Sequence, residues 1–359
     1  MIISIYSTQI IATKPTPEGY AGLEMVVGLL CRYIDEETDH TLYLFATEDS
    51  YVPKKKDSYL FSVGKAGTVD PLEAFKLYWK DERSKRALIE SDIVCDHSWG
   101  YYPYAVADRL KNIMHVHHGP TPGFNTPPPI SKPCLCTVGF QLARRFQEQT
   151  GVEWRTIHNG IDVERYPYQE KKENYLLWLS RLYPFKGAHR FIKVCNELKM
   201  QGYVVGGSFG DDKNYVNMIK DMCDKSQYVE YLGEVDFKKK VELLQNAKAL
   251  IQPSVYRLPV AGKTNEYSYF PEPFGLTTLE AMACGTPVVV SPIYGWVETL
   301  IHGYSGFHAN SDEEFKYYIK RIDEIKPENC RRIAEHYNYK RMAKEYLRLF
   351  EEILSGRKW

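Results

Sequence analysis

The chain is expected to be an α/β protein built as two doubly wound domains, and three observations carry that expectation. Short apolar runs alternate with amphipathic helical stretches from end to end, the mark of βαβ units on a parallel sheet. The alternation lapses over Val163–Asn174, a polar and aromatic stretch without period, and then resumes, which makes that stretch the expected interdomain linker. At 359 residues the chain exceeds one ordinary core and suits two domains of about 150 residues or more. The expected domains are 1–165 and 166–338, with 339–359 as a terminal helix packing back across them.

In the first half, strands are expected at Ile2–Tyr6, Thr41–Ala46, Ile93–Asp96, Ile113–His117 and Cys134–Val138. Helices fit Gly22–Ile34, Pro71–Ile89, Ala105–Leu110 and Phe140–Gly151. Gly119–Pro133 holds six prolines and no periodicity, so it reads as a loop at the ligand edge. In the second half, strands fit Tyr175–Leu179, Tyr203–Gly206, Val229–Leu232, Ala249–Gln252 and Pro287–Val290. Helices fit Gly187–Gln201, Tyr215–Lys225, Phe237–Asn246, Leu276–Cys284 and Asp312–Ile325. The last helix, Tyr339–Ser355, gathers Met342, Tyr346, Leu349, Phe350 and Ile353 on one face and needs a partner surface. Ligands of such folds sit at the carboxyl ends of the strands.

Lys plus Arg and Asp plus Glu each number 46, so no net field argues for nucleic acid or an anionic membrane as the main partner. The short lysine runs at 54–56 and 238–240 read as solvated faces. The 28 tyrosines suit sugar-stacking surfaces and equally a packed core. Eight scattered cysteines with no C-x-x-C pair read as a reduced, cytoplasmic chain. No basic leader opens the sequence, and no apolar run approaches the roughly 20 residues that span a bilayer.

The most informative stretch is Glu272–Gly285, in which Glu272 and Glu280 flank a turn and a short helix. Pro273 and Gly275 stiffen and bend the loop, and Thr277 or Thr278 is the expected helix cap. The helix N-terminus offers N–H groups to phosphate, and the two acids suit the hydroxyls of a nucleotide sugar. The plainer alternative makes Glu280 a first-turn acid and Glu272 a loop carboxylate. After the second domain's first strand, Arg181 can fork onto phosphate oxygens and Lys186 adds a point charge five residues on. Gly19-Tyr20-Ala21-Gly22-Leu23-Glu24 opens a helix after the first strand, but no G-x-G-x-x-G fingerprint is present. Gly206-Gly207-Ser208-Phe209-Gly210 is a second Gly-rich strand end. His115-Val116-His117-His118 closes a strand, a position that suits a site imidazole as well as packing or capping. With Cys134 and Cys136 it matches no standard zinc spacing. His158-Asn159-Gly160-Ile161-Asp162 reads as a turn at the domain edge, and no D-x-D occurs.

Taken together, Glu272–Gly285, Arg181 with Lys186, Asn159–Asp162 and Tyr231-Leu232-Gly233-Glu234-Val235 resemble retaining glycosyltransferases of the GT-B fold, family 4 (glycosyl transferases group 1). The likeness covers nearly the whole chain and is strongest from Trp154 to Phe307. It implies two Rossmann-like domains facing a central cleft, with acceptor on the first and nucleotide sugar on the second. By that likeness Glu280 holds the ribose hydroxyls and Glu272 acts on the donor sugar. Arg181, Lys186 and the N–H groups of Phe274, Gly275, Leu276 and Thr277 hold the diphosphate, while Val235 and Lys240 lie near the base. Ala21 and Gly22 stand where the family has a Gly-Gly loop, and His118 aligns with its first-domain histidine, with His117 the alternative. Val255–Pro271 is longer than the usual link and either shapes the acceptor site or forms a surface insertion.

The implied reaction moves a hexose to a hydroxyl of a glycan, glycolipid or glycoprotein with the anomeric configuration kept and no metal or cofactor. GDP-mannose is slightly favoured as donor on family frequency, beside UDP-glucose and UDP-N-acetylglucosamine. The implied enzyme is a cytoplasmic hexosyltransferase without a transmembrane segment or nucleic-acid partner, and a homodimer stays open. Rival readings are a nucleotide-sugar epimerase, a phosphorylase and a non-catalytic nucleotide-sugar-binding protein.

Overall fold

The structure, a computed structural model, describes residues 1–16, 21–124, 128, 130–208, 213–255, 257–259 and 267–359. Its contacts divide the chain into Met1–Gly160 with Asn338–Trp359, and Ile161–Tyr337.

The first unit is built on seven parallel strands: β1 (Ile2–Tyr6), β2 (Thr41–Phe45), β3 (Tyr59–Phe61), β4 (Ile93–Asp96), β5 (Ile113–His117), β6 (Leu135–Thr137) and β7 (Trp154–Thr156). They run in the order β3-β2-β1-β4-β5-β6-β7. Helices α1 (Gly22–Glu37), α2 (Pro71–Lys80), α3 (Glu82–Glu90) and α4 (Phe140–Thr150) connect them. The helix expected at Pro71–Ile89 is broken by Asp81. The Asp81 backbone N–H closes α2 on Leu77 O, and its side chain caps α3 by accepting from Ser84 N. The helix expected at Ala105–Leu110 is instead part of a 3-10 run, Tyr102–Arg109, kinked at Val106. The strands β3 and β7, three residues each, are too short for a period to show.

The second unit repeats the plan with β8 (Tyr175–Leu179), β9 (Gln201–Val205), β10 (Val229–Gly233), β11 (Ala249–Gln252), β12 (Arg257–Pro259), β13 (Tyr267–Tyr269), β14 (Val288–Val290) and β15 (Gly306–His308). Six of these form a parallel sheet in the order β10-β9-β8-β11-β14-β15, while β12 and β13 pair antiparallel inside the Val255–Pro271 stretch. Residues 256 and 260–266 of that stretch lie outside the described residues. The fully buried β8 and β11 explain why those strands read as continuous apolar runs, as strands covered on both faces do. Helices α5 (Ala188–Leu198), α6 (Lys213–Asp224), α7 (Phe237–Asn246), α8 (Leu276–Ala283), α9 (Gly295–Thr299), α10 (Asp312–Lys320) and α11 (Pro327–His336) complete the unit. The Asp312–Ile325 helix stops early, at Lys320, and a 3-10 turn follows at Ile322–Glu324. Among the described residues no helix is long and apolar enough to cross a membrane.

The last helix, α12 (Tyr339–Leu354), belongs to the first unit. Its apolar face is buried, with Arg32 stacked 4.5 Å over the Tyr339 ring and Lys340 paired with Glu37 at 2.7 Å on α1. The terminal Trp359 donates to Leu135 O and accepts from Cys134 N, both at 2.9 Å.

The stretch expected to be a linker, Val163–Asn174, is instead strapped onto the second unit. Tyr166 is fully buried, Gln169 N donates to Cys284 O, and Glu173 N donates to Asn246 O. Its polar residues serve backbone and side-chain hydrogen bonds, which removes the periodicity of a regular element. Arg331 on α11 holds the strap by donating to the carbonyls of Val163, Tyr166 and Ala283. Replacing Arg331 by Met keeps the apolar stem and leaves those carbonyls without the guanidinium. Urea unfolding should then show a loss of about 2 kcal/mol or more, the scale for orphaning buried acceptors.

Candidate functional site

In the second unit the residues singled out from sequence gather along one edge of the sheet. Arg181 and Lys186 follow the carboxyl end of β8, Val235 follows β10, and Glu272–Gly275 lead into α8, whose first residues are Leu276 and Thr277. In the strand order, β8 and β11 are neighbours at which the chain progression reverses. That is the switch point where loops diverge and open α/β sheets take ligands. Close packing fixes both loops. Gly187 (φ 75°) follows Lys186, and a Cβ there would stand 2.2 Å from Pro253 O. The buried Trp178 donates its indole N–H to Lys186 O at 3.1 Å. Gln252 Nε2 donates to Leu179 O at 2.8 Å, tying the two strand ends.

The start of α8 is shaped by Gly275, whose φ of 88° lies in the left-handed region that favours glycine. A Cβ there would meet the Trp296 indole nitrogen at 2.1 Å. Neither threonine caps the helix as expected. Gly275 is the cap residue, and Thr278 Oγ1 donates back to Gly275 O at 2.6 Å. Because the hydroxyl is spent on a carbonyl, no side chain covers the helix end. The N–H groups of Leu276 and Thr277 have no acceptor among the described residues. Phe274 is buried, while Leu276 and Thr277 are half-buried.

Each acid meets a lysine. Lys186 Nζ lies 2.5 Å from Glu272 Oε2, and both side chains are largely buried. Lys240, on the first turn of α7, lies 2.8 Å from Glu280 Oε1. Tyr166 donates to the same oxygen at 2.6 Å. Arg181 stacks its guanidinium 5.5 Å over the Tyr183 ring on the Lys186 loop, and Val235 is half-buried after β10. The helix end is therefore flanked by two acid–ammonium pairs, each formally neutral.

The first unit holds a separate cluster. His115 Nδ1 lies 2.7 Å from Asp96 Oδ2 with both residues fully buried, and its ring stacks on Tyr101. His117 is buried beneath Gly119, beside Trp99, Tyr101 and Phe146. His118 is half-buried and its Nε2 lies 3.0 Å from His97 Nδ1. Packing thus claims His115 and His117, and His118 is the more accessible of the last two. Ala21 and Gly22 form the start of α1, where Glu24 is buried, accepts from Thr8 at 2.7 Å and has its carboxyl pushed up by burial. Gly19 and Tyr20, together with Phe209 and Gly210, lie outside the described residues. Asn159–Asp162 straddles the division of the units, with Gly160 closely packed on Asn338 and Tyr339. Among the described residues no group of three or more His, Cys, Asp or Glu is arranged to hold a metal, and the eight cysteines are buried and free.

Burial holds His97 and His117 down at about 3. In the unfolded chain such groups take up a proton near 6.5, so between 6.5 and 3 the unfolded state binds protons that the folded state refuses. Stability is therefore complete above 6.5 and falls on acidification, by up to about 1.4 kcal/mol per pH unit for each histidine. Thermal melts at neutral pH and in mild acid should show it, and His117→Gln should weaken the dependence.

Sequence reasoning missed Tyr166, His97 and Trp296. Tyr166 sits in an aperiodic stretch with no motif around it, so only the fold reveals its partner. His97 follows the first unit's β4 as His118 follows β5, and that shared position after neighbouring parallel strands was the available signal.

The family model for glycosyl transferases group 1 matches residues 162–341. An uncharacterized glycosyltransferase of Methanocaldococcus jannaschii is 27% identical over 223 residues, covering 55% of this chain and 53% of that protein. The O-antigen chain mannosyltransferase RfbU of Salmonella typhimurium is 28% identical over 172 residues, covering 47% and 44%. The chain spans about half the length of the curated relatives it matches. In fold it is similar to AviGT4, a glycosyltransferase involved in avilamycin A biosynthesis, with a TM-score of 0.74 at 21% identity over 100% of this chain and 99% of that one. The two parallel sheets with flanking helices are thus the GT-B architecture. With half its length matched by the family model, the chain belongs to the glycosyl transferases group 1 family.

Proposed function

We propose that the chain is a retaining, metal-independent glycosyltransferase of family 4 that moves a hexose from a nucleoside diphosphate to a hydroxyl of a glycan, glycolipid or glycoprotein. The observation that carries this reading is the uncapped start of α8 between Glu272 and Glu280, each acid already paired with a lysine at the sheet's switch point. The diphosphate would take the N–H groups of Leu276 and Thr277 and the charges of Lys186 and Arg181. Those donors are set before the reaction and meet charge as it develops on the leaving group. Positive charge supplied this way makes a bridging metal dispensable. Glu272, freed from Lys186 as phosphate arrives, would accept from the sugar hydroxyls, and Glu280 from the ribose.

Membership of the family and likeness to a mannosyltransferase support mannose as the sugar, with GDP-mannose as donor. A cytoplasmic location and a homodimer fit the reading. The test is incubation with GDP-mannose, UDP-glucose and UDP-N-acetylglucosamine, each with a chelator and a panel of glycan acceptors, followed by NMR of the anomeric centre. Transfer with the donor's configuration supports the proposal. Rearranged sugar formed from donor alone would point to an epimerase, and inverted product would remove the retaining assignment.

A further inference from the structure

Glu280 is a buried acid of the second unit held by two side chains. It is 4% exposed, and both of its recorded partners meet a single oxygen: Tyr166 hydroxyl donates to Oε1 at 2.6 Å, and Lys240 Nζ lies 2.8 Å from the same atom. Among the described residues Oε2 has no hydrogen bond or ion pair. Tyr166 is itself immobilised. It is 1% exposed, its ring meets Phe237 edge-on at 5.7 Å, and its carbonyl accepts from Arg331. The same guanidinium binds Ala283 O, at the end of the helix that carries Glu280. One cation therefore ties the tyrosine's backbone to the acid's helix. Burial raises the Tyr166 hydroxyl well above its ordinary value, so it remains a donor at all working pH.

We propose that Tyr166 is a positioning residue for nucleotide recognition, acting through Glu280. Its hydroxyl and the Lys240 ammonium fill Oε1, fix the carboxylate's rotation and leave Oε2 to accept from the ribose diol. This rests on the reading of Glu280 as the ribose acid. A freely turning carboxylate would spend part of its time facing Lys240 with both oxygens, whereas the double clamp reserves one oxygen for the ligand. The clamp thereby confers a preference for a ribose over a sugar lacking its hydroxyls.

The test is calorimetric titration of the full chain and of Tyr166→Phe with GDP and UDP, each beside its 2′,3′-dideoxy counterpart. The wild-type chain should prefer the ribonucleotide of its favoured base by about tenfold or more, the scale of a hydrogen bond to a charged group. In Tyr166→Phe that preference should shrink to about twofold or less, with affinity for the dideoxy form nearly unchanged. A merely structural role would lower both affinities together, and that result overturns the proposal, as does an undiminished preference. If Tyr166→Phe does not fold by thermal melting, Lys240→Gln removes the other hand of the clamp from a partly exposed position and should shrink the same ratio. An undiminished ratio there overturns the proposal too. A wild-type chain that binds neither ribonucleotide removes the donor reading itself. One that binds the ribo and dideoxy forms equally removes the Glu280 clamp while leaving diphosphate binding intact.

Discussion

Lys186→Ala is expected to lower transfer by about a hundredfold or more, the scale for losing a charge-stabilising group in a pre-organised site. Two effects act together. On the proposed reading the leaving diphosphate would lose an ammonium whose backbone is held by the 3-10 turn Pro184–Lys186 and by the Trp178 hydrogen bond. Glu272 also loses its partner, so a largely buried carboxylate stands uncompensated beside the place where phosphate must enter. The pair therefore changes from neutral to anionic, and donor affinity falls along with turnover. Glu272→Ala should be comparably damaging through the sugar hydroxyls. The double variant should fall well short of the product of the two losses, because residues in direct contact are not additive. Steady-state kinetics on the three proteins checks this, and near-normal transfer by Lys186→Ala contradicts the role.

Gly275→Ala is the second large effect, and it reaches the helix end without altering any charge. The backbone at φ 88° disfavours any side chain, and the new Cβ would lie 2.1 Å from Nε1 and 2.4 Å from Cδ1 of Trp296. Trp296 cannot readily yield. It is 2% exposed, and its neighbour Gly295 already abuts the Phe274 backbone so closely that a Cβ would stand 2.3 Å from Phe274 Cα. The start of α8 must then shift, which misaligns the Leu276 and Thr277 N–H groups. The expected cost is about 2–4 kcal/mol of stability by urea unfolding, as for overpacking at a special φ, with transfer severely reduced. Wild-type stability and rate in this variant would mean that the turn is not the rigid element described.

Most of the fold was legible because burial on both faces writes itself into the sequence. β1, β4, β5, β8 and β11 occupy the spans expected from their apolar runs. Apart from the ten-residue α11, which the expected helices omit, most of what escaped was decided by single polar side chains or by very short elements. Asp81 splits one helix into two because it can cap both, a choice that periodicity does not register. The three-residue strand β15 and the five-residue α9 are too short for any period to show. At the site, the acids and their spacing were readable because glycine, proline and carboxylates at fixed offsets carry chemical meaning. Their partners were not, because Lys186–Glu272 and Lys240–Glu280 join residues 86 and 40 positions apart. The expected threonine cap failed for a similar reason. Thr278 has an acceptor within reach in Gly275 O, and the glycine turn rather than a hydroxyl sets the helix start.

The most direct measurement is a crystal structure of the chain with GDP-mannose or UDP-glucose bound. The diphosphate is expected against the N–H groups of Leu276 and Thr277, with Lys186 turned from Glu272 toward phosphate, Glu272 on the sugar and Glu280 Oε2 on the ribose. A nucleotide seated elsewhere, with the Lys186–Glu272 pair undisturbed, would contradict the account.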